Sequence, residues 1–242
     1  MKTPRSLEDL PFAEHLERCS PDGLEPEGDY DWAWFDGGFH DGDRGGMIED
    51  GGMIEDVCAD GTRFIEVAFT DLTFDGVRLR RARMSGAWFG RVRLVGPDLA
   101  ESSMTDVWLH DCVLAGVQAF SLQGRRVTFR DCKLDSVNFR DATLTDVTFA
   151  DCVLREPDFG GAKLTRVTFS GCQLAGAEFS GAACRDVDLR GATLGGSDSS
   201  GGDAPGIRSG YDALRGCRVD SLQLMTLAPL LAHHLGITVT DA

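Results

Sequence analysis

The chain has 242 residues, 42% of them hydrophobic, and a formal net charge of −15. This is enough to bury a core, but the longest apolar stretch, Leu222 to Leu235, is broken by Gln223, Thr226, Pro229 and the His233/His234 pair, so no membrane span is expected. The first residues, with Lys2, Arg5, Glu8 and Asp9, do not read as a signal peptide, and eight cysteines without a CxxC pair read as reduced thiols of a cytoplasmic protein.

Residues 1–61 form an acidic N-terminal segment: residues 1–59 hold 16 acidic and 4 basic side chains, whereas residues 60–195 hold 18 and 17. Trp34 and Phe39 fall in the phase of the five-residue repeat that follows, so an early coil is expected there. Residues 45–50 and 51–56 both read GGMIED. A six-residue duplication cannot hold a five-residue register, and residues 41–61 are therefore expected to be a Gly-rich loop.

The repeat occupies residues 62–194. From Phe64 to Leu194 every fifth residue is Leu, Phe or Met, with Ala119, Gly124 and Cys184 as the departures, and the residue two before it is nearly always Val, Ala, Cys, Ser or Thr. Neither a helix, at about 3.6 residues per turn, nor a strand, at period 2, sustains a period of five. The chain must turn every five residues, with a short extended piece carrying two inward side chains and a polar corner following it. Cys112, Cys132, Cys152 and Cys172 recur every twenty residues, as do Phe129, Phe149 and Phe169 and also Phe139, Phe159 and Phe179. Twenty residues thus make one coil of four faces, and the fold expected is an all-β solenoid of about seven coils, roughly 30 to 35 Å long.

Units such as Val137-Asn138-Phe139-Arg140-Asp141 and Ala162-Lys163-Leu164-Thr165-Arg166 resemble the A(D/N)LXX units of the pentapeptide-repeat family. The resemblance covers residues 62–194 and implies a right-handed quadrilateral β-helix.

Residues 195–210, rich in Gly, Ser and Asp, are expected to form a second loop. Residues 211–242 then hold a last partial coil, with Leu214 and Val219 back in phase, and a helical cap. Asp220 and Gln223 have the spacing of a capping box, Leu222, Met225, Leu227, Leu230, Leu231 and Leu235 supply an apolar surface, and Gly236 ends it. Pro229 is expected to kink or divide this helix. An open solenoid end needs such a cap. In gyrase-targeting members of the family the C-terminal helices also mediate dimerisation, so these leucines are candidate homodimer residues.

Candidate sites lie on the surface. Trp88 and Trp108 stand one position before inward residues, twenty apart, and are expected to point outward on one face with His110 nearby, as the centre of a partner-binding surface unless the chain covers them itself. Arg63, Arg78, Arg80, Arg81, Arg83, Arg91 and Arg93 form a basic cluster that either binds an acidic partner or holds the chain's own acidic N-terminal arm, the second being favoured by the charge of that arm. The cysteine column reads as core packing, Asp111, Asp131 and Asp151 as corner residues bonded to their own turn, and the column Asp106, Arg126, Asp146, Arg166, Asp186 as an exposed charge ladder. No nucleophile motif, phosphate loop or metal-ligand spacing is present, so neither enzymatic activity nor a cofactor is expected.

The resemblance implies a non-catalytic role in binding a protein. Its concrete precedent is the group that resembles B-DNA in width and charge and protects DNA gyrase from poisons such as the quinolones. A DNA mimic needs an acidic rod, whereas residues 60–195 are nearly neutral. A generic scaffold or adaptor for another cytoplasmic protein is the alternative. Direct binding of nucleic acid is disfavoured by the acidic total.

Overall fold

Inward residues five apart leave the chain three residues in which to turn a corner. The structure, a computed structural model that describes residues 4–20, 24–37, 52–197 and 201–240, makes each turn with one left-handed residue two positions after the large inward one. From Glu66 (φ 53°) to Gly191 (φ 79°) this position has positive φ throughout. Glycine adopts it freely, whereas Asp106, Arg126 or Ser136 each carry a backbone cost of about 1 kcal/mol or more.

The result is a right-handed four-faced β-helix of about eight turns with one C-terminal helix. We number the faces in chain order. Face 1 carries the inward residues Phe64, Met84 and on to Cys184; face 2 runs from Phe69 to Leu189; face 3 runs from Ile54 to Leu194; face 4 runs from Leu79 to Phe179. Strands stack in parallel with partners twenty residues apart, as in Leu94↔Leu114 and Phe129↔Phe149. Faces 1 and 2 join in one sheet, face 3 forms a second, and face 4 is held mainly by single bridges such as Gln118↔Asn138.

All positions of the Phe64 to Leu194 series are buried except Cys184, which is partly exposed. Face 1 has its last strand at Ala183–Arg185, which among the described residues pairs only with Lys163–Thr165 below it; above it the chain passes as the 3-10 turn Tyr211–Leu214 and Gly216 instead of a paired strand, so Cys184 is incompletely covered. Within the core, Phe149 stacks on Phe129 and Phe169 with ring centroids 4.7 and 4.9 Å away. Phe159 stacks likewise on Phe139 and Phe179, both at 5.2 Å. Two aromatic ladders on opposite faces meet edge to face, and together they fill the axis.

The ends depart from the simple period. An early coil exists, but its inward residues are Tyr30 and Phe35, which pair with Phe64 and Phe69. Trp34, expected inward, lies outside over Ala68, because 34 residues separate the paired positions instead of a multiple of five. Phe39 lies outside the described residues. The span expected as a loop, 41–61, is coil from residue 52 onward: Met53–Glu55 pairs with Thr73–Asp75, Cys58 bridges to Arg78, and Ile54 and Ala59 are buried. The second GGMIED copy therefore contributes Ile54 to the repeat phase.

Residues 195–210 are also more ordered than a loop. Thr193–Ser197 pairs antiparallel with Asp203–Pro205, and Ile207–Ser209 then continues face 4 over Ala177–Glu178. Gly210 (φ 82°) comes so close to the Phe179 backbone that a Cβ would lie 2.1 Å from its carbonyl carbon. Leu214 and Val219 lie half-buried against the core.

The C-terminal helix spans Ser221–His234 and runs through Pro229 unbroken. Pro229 and Met225, whose carbonyl a residue with an N–H at that place would bond, are both on the exposed side, where water replaces the missing donor. Asp220 and Gln223 form the reciprocal capping box, each backbone N–H donating to the other side chain at 2.9 Å. Gln223 is itself buried, and its Nε2 donates to the carbonyls of Leu189 and Ala192 at 2.5 and 2.7 Å, which closes the backbone of the top coil.

Candidate protein-binding surfaces

Trp88 and Trp108 are paired neighbours on the outside of face 2. They do not form an open surface. Trp88 is only 3% exposed, packed in a cluster with Leu10, Phe12 and Ala68, with Leu7, Ala13, Leu16, Trp34 and the partly buried Trp108 around it. The N-terminal segment crosses face 2 in two short 3-10 turns, Leu7–Asp9 and Ala13–His15, then adds the strand Glu17–Cys19 below Ala33–Asp36. The expectation of an exposed tryptophan pair is thereby corrected: the chain covers them itself. Gly90 makes room for the ring, since a Cβ there would fall 2.7 Å from Trp88 Nε1. His110 stacks on Trp88 with centroids 5.9 Å apart, and its Nε2 lies 3.6 Å from Asp131. Trp34 donates to Thr70 Oγ1 at 2.8 Å and has the Arg18 guanidinium over its ring. The sequence holds the signal for this, as Leu7, Leu10, Phe12, Ala13 and Leu16 put five apolar side chains within ten residues.

The seven arginines near the start of the repeat are close in sequence but dispersed around the rod. Arg63 and Arg83 stand on face 1, Arg78 and Arg80 on face 4, Arg93 on face 3, and Arg81 and Arg91 at two different corners. Three are occupied by carboxylates of neighbouring coils: Arg78 by Asp60 at 3.3 Å, Arg80 by Asp98 and Glu101 at 3.2 and 3.1 Å, and Arg91 by Asp71 at 2.6 Å. Two of the seven reach residues 1–61 among the described residues, Arg63 pairing with Asp29 at 2.7 Å and Arg78 with Asp60. The first part of the segment, up to Cys19, is held by apolar packing on face 2 and by strand pairing.

The corner between faces 1 and 2 forms discrete pairs, not a uniform ladder. Arg126 binds Asp106 with two hydrogen bonds of 2.5 and 2.6 Å, Arg166 binds Asp146 with two of 2.5 and 2.8 Å, and Arg218 meets Asp186 at 2.9 Å. The guanidinium hydrogen bonds hold the Asp106 and Asp146 carboxyls below the ordinary carboxylate value. Asp131 and Asp151 lie near His110 and Arg130 of the coil below, at 3.6 and 3.8 Å. The four column cysteines are buried, with Cys132 Sγ donating to the carbonyls of Arg130 and Leu109 at 3.2 and 3.4 Å. The adjoining Cys112 and Cys152 sulfurs, together with burial, push the Cys132 thiol up. Such a column packs a core. No group of three or more metal-binding side chains occurs among the described residues.

The candidate dimer residues divide by environment. Leu227 is buried against the top coil, Leu230 and Leu231 are half-buried, and Leu222, Met225 and Leu235 are exposed at 71%, 66% and 69%. Leu224, Ile237 and Val239, which the sequence reading passed over, add to the same exposed apolar set.

Residues 122–199 match the family model of the pentapeptide repeat region, in the part of the chain where the twenty-residue register is unbroken. These residues form a pentapeptide repeat region. Among solved structures the chain is similar to a trypsin-treated variant of QnrB1, a plasmid-mediated fluoroquinolone resistance protein, at 21% identity over 78% of this chain and 90% of that one, with a TM-score of 0.48. It is also similar to HetL, a pentapeptide repeat protein involved in heterocyst differentiation regulation from the cyanobacterium Nostoc sp. strain PCC 7120, at 19% identity over 59% and 80% of the two chains, with a TM-score of 0.39. A third is the pentapeptide repeat protein Rfr23 from the cyanobacterium Cyanothece 51142, at 15% identity over 58% and 90%, with a TM-score of 0.23. No curated protein matches the chain.

Proposed function

We propose that this protein is a non-catalytic, protein-binding rod whose partner is a topoisomerase such as DNA gyrase, which it shields from topoisomerase poisons. The observation that carries protein binding is the rigid grid itself. Parallel pairing fixes outward side chains at ~4.8 Å intervals on flat faces, so a partner can be met without ordering a mobile surface. Gyrase is the concrete precedent within the family that the repeat units resemble. The near-neutral repeat, with 18 acidic and 17 basic residues between 60 and 195, argues against recognition by DNA-like charge and favours recognition by shape and local pairing. The same neutrality favours the second reading, an adaptor for another cytoplasmic protein.

The exposed apolar side of the C-terminal helix, with Leu222, Met225 and Leu235, suits a homodimer in which two rods join end to end. No helix among the described residues is long and apolar enough to cross a membrane. The deciding experiment is a gyrase supercoiling assay titrated with the purified protein, with and without a fluoroquinolone. Restored supercoiling in the presence of the drug is the expected result. An inert protein would leave the adaptor reading, to be pursued by affinity capture.

A further inference from the structure

Face 1 differs from the other three in carrying no outward carboxylate over its central coils. Between the strands Arg83–Ser85 and Ala183–Arg185 its outward positions hold Arg83, Arg125, Lys163 and Arg185, and otherwise only Ser, Thr, Gln and Ala. No carboxylate stands among them. Over the same coils, face 2 carries Asp188, face 3 carries Asp135, and face 4 carries Asp98, Asp158 and Glu178. The four cations are exposed, and none has a carboxylate within ion-pair distance among the described residues. The corner carboxylates beside them are mostly engaged elsewhere: Asp106 with Arg126, Asp146 with Arg166, Asp186 with Arg218, and Glu101 with Arg80. Below the stripe, Arg63 is taken by Asp29. In a chain of net charge −15, four cations left unpaired on one flat face are not needed for solubility.

We propose that face 1 is a docking strip for an extended acidic segment of a partner protein, an inference that rests on the protein-binding reading above. The dimensions select this occupant. The cations rise along the axis by two, two and one coils, or ~10, ~10 and ~5 Å, and their two columns lie only ~7 Å apart. An extended polypeptide running along the axis, with a carboxylate at about every third residue, places charges at that interval. The arginine forks accept carboxylates two bonds at a time, and the hydroxyls of Thr105, Thr143, Thr145 and Thr165 line the same strip. A nucleic-acid duplex fits poorly. Over ~24 Å it would bring roughly 14 phosphates to four cations, and its width would overhang the corner carboxylates of Asp106, Asp146 and Asp186.

The test titrates a short fluorescein-labelled poly-L-glutamate with the full chain at low ionic strength. The same titration is made with R83Q/R125Q/K163Q/R185Q and with a control, R78Q/R140Q/R155Q/R190Q, which removes the same charge from other faces. The face 1 variant is expected to bind about tenfold more weakly or worse, and the control to stay within about threefold of the parent. Equal affinity of parent and face 1 variant, equal loss in both variants, or no binding by the parent overturns the proposal. So does tighter binding of oligo-dT of matched charge that is lost in the face 1 variant, which would make the strip a nucleic-acid site. If the quadruple variant fails to fold, R125Q/K163Q is titrated in its place, judged by a loss greater than that of R140Q/R155Q. A parent inert towards gyrase that still discriminates on poly-L-glutamate would remove only the topoisomerase assignment. Active protection without that discrimination would remove only the strip.

Discussion

Replacing Phe149 with Ala tests the packing on which every surface in this rod depends. The ring is fully buried, lies between Phe129 and Phe169 at 4.7 and 4.9 Å, nearly parallel to both at 9° and 4°, and meets Phe139 and Phe159 edge-on at 6.4 and 6.5 Å. Truncating a buried Phe costs about 3 to 5 kcal/mol, and the cost grows with the cavity that fails to collapse. Collapse is blocked here, because the strand Thr148–Ala150 is paired to strands above and below it. The variant is therefore expected at the upper end of that range, with a thermal midpoint lowered by roughly 10 to 20 °C for a chain of this size. Cys184→Ala provides the contrast: it truncates a small, partly exposed side chain with no paired strand above it among the described residues, and its loss should stay under about 1 kcal/mol. Urea unfolding followed by circular dichroism measures both. A loss under about 1 kcal/mol for Phe149→Ala, or the same loss for the two variants, would refute the rigid-ladder reasoning.

Three further outcomes are expected. Leu10→Ala with Phe12→Ala should release the N-terminal segment from face 2, expose Trp88 and shift tryptophan emission to the red with little change in the main unfolding transition, since a peripheral segment opens locally; unchanged emission would mean that something else covers Trp88. Leu222→Glu with Met225→Glu should give a monomer in sedimentation at concentrations where the parent is a dimer, with the rod intact; a parent that is monomeric at high micromolar concentration removes the dimer. Asp106 and Asp146 are held below the ordinary Asp value of about 3.9. Their contribution to stability is therefore complete above that value and lost as pH falls through the lower folded-state value. The stability gap between the parent and D106N/D146N should accordingly close below about pH 4, and a gap constant down to pH 2 would contradict the pairing.

The interior of this protein is legible from its sequence because the repeat leaves no freedom in phase. Once Phe149 is inward, Phe129 and Phe169 must be its neighbours, and the twenty-residue columns follow. The outward charges are harder to read in linear order. Arg78, Arg80, Arg81, Arg83, Arg91 and Arg93 look like a patch, yet successive five-residue units point to successive faces, so proximity in the chain spreads them around the rod. The opposite sorting, outward residues taken every twentieth, would have revealed the carboxylate-free run from Arg83 to Arg185.

The fate of Trp88 follows from the departure from the period at the N-terminal end. The early coil pairs Phe35 with Phe69, a separation of 34 residues, which counting in fives from the repeat cannot anticipate. That separation turns Trp34 outward beside Ala68 and Trp88, and the three then form an apolar floor broad enough to bind Leu10 and Phe12. A β-solenoid face accepts Thr at this column, as at Thr128, Thr148 and Thr168, at little cost. Tryptophan at position 88 is thus not required by the coil but by what lies upon it. The large outward residue that marks a binding surface in a linear reading marks here a surface already bound, and what binds it is the segment from Leu7 to Leu16 of the same chain.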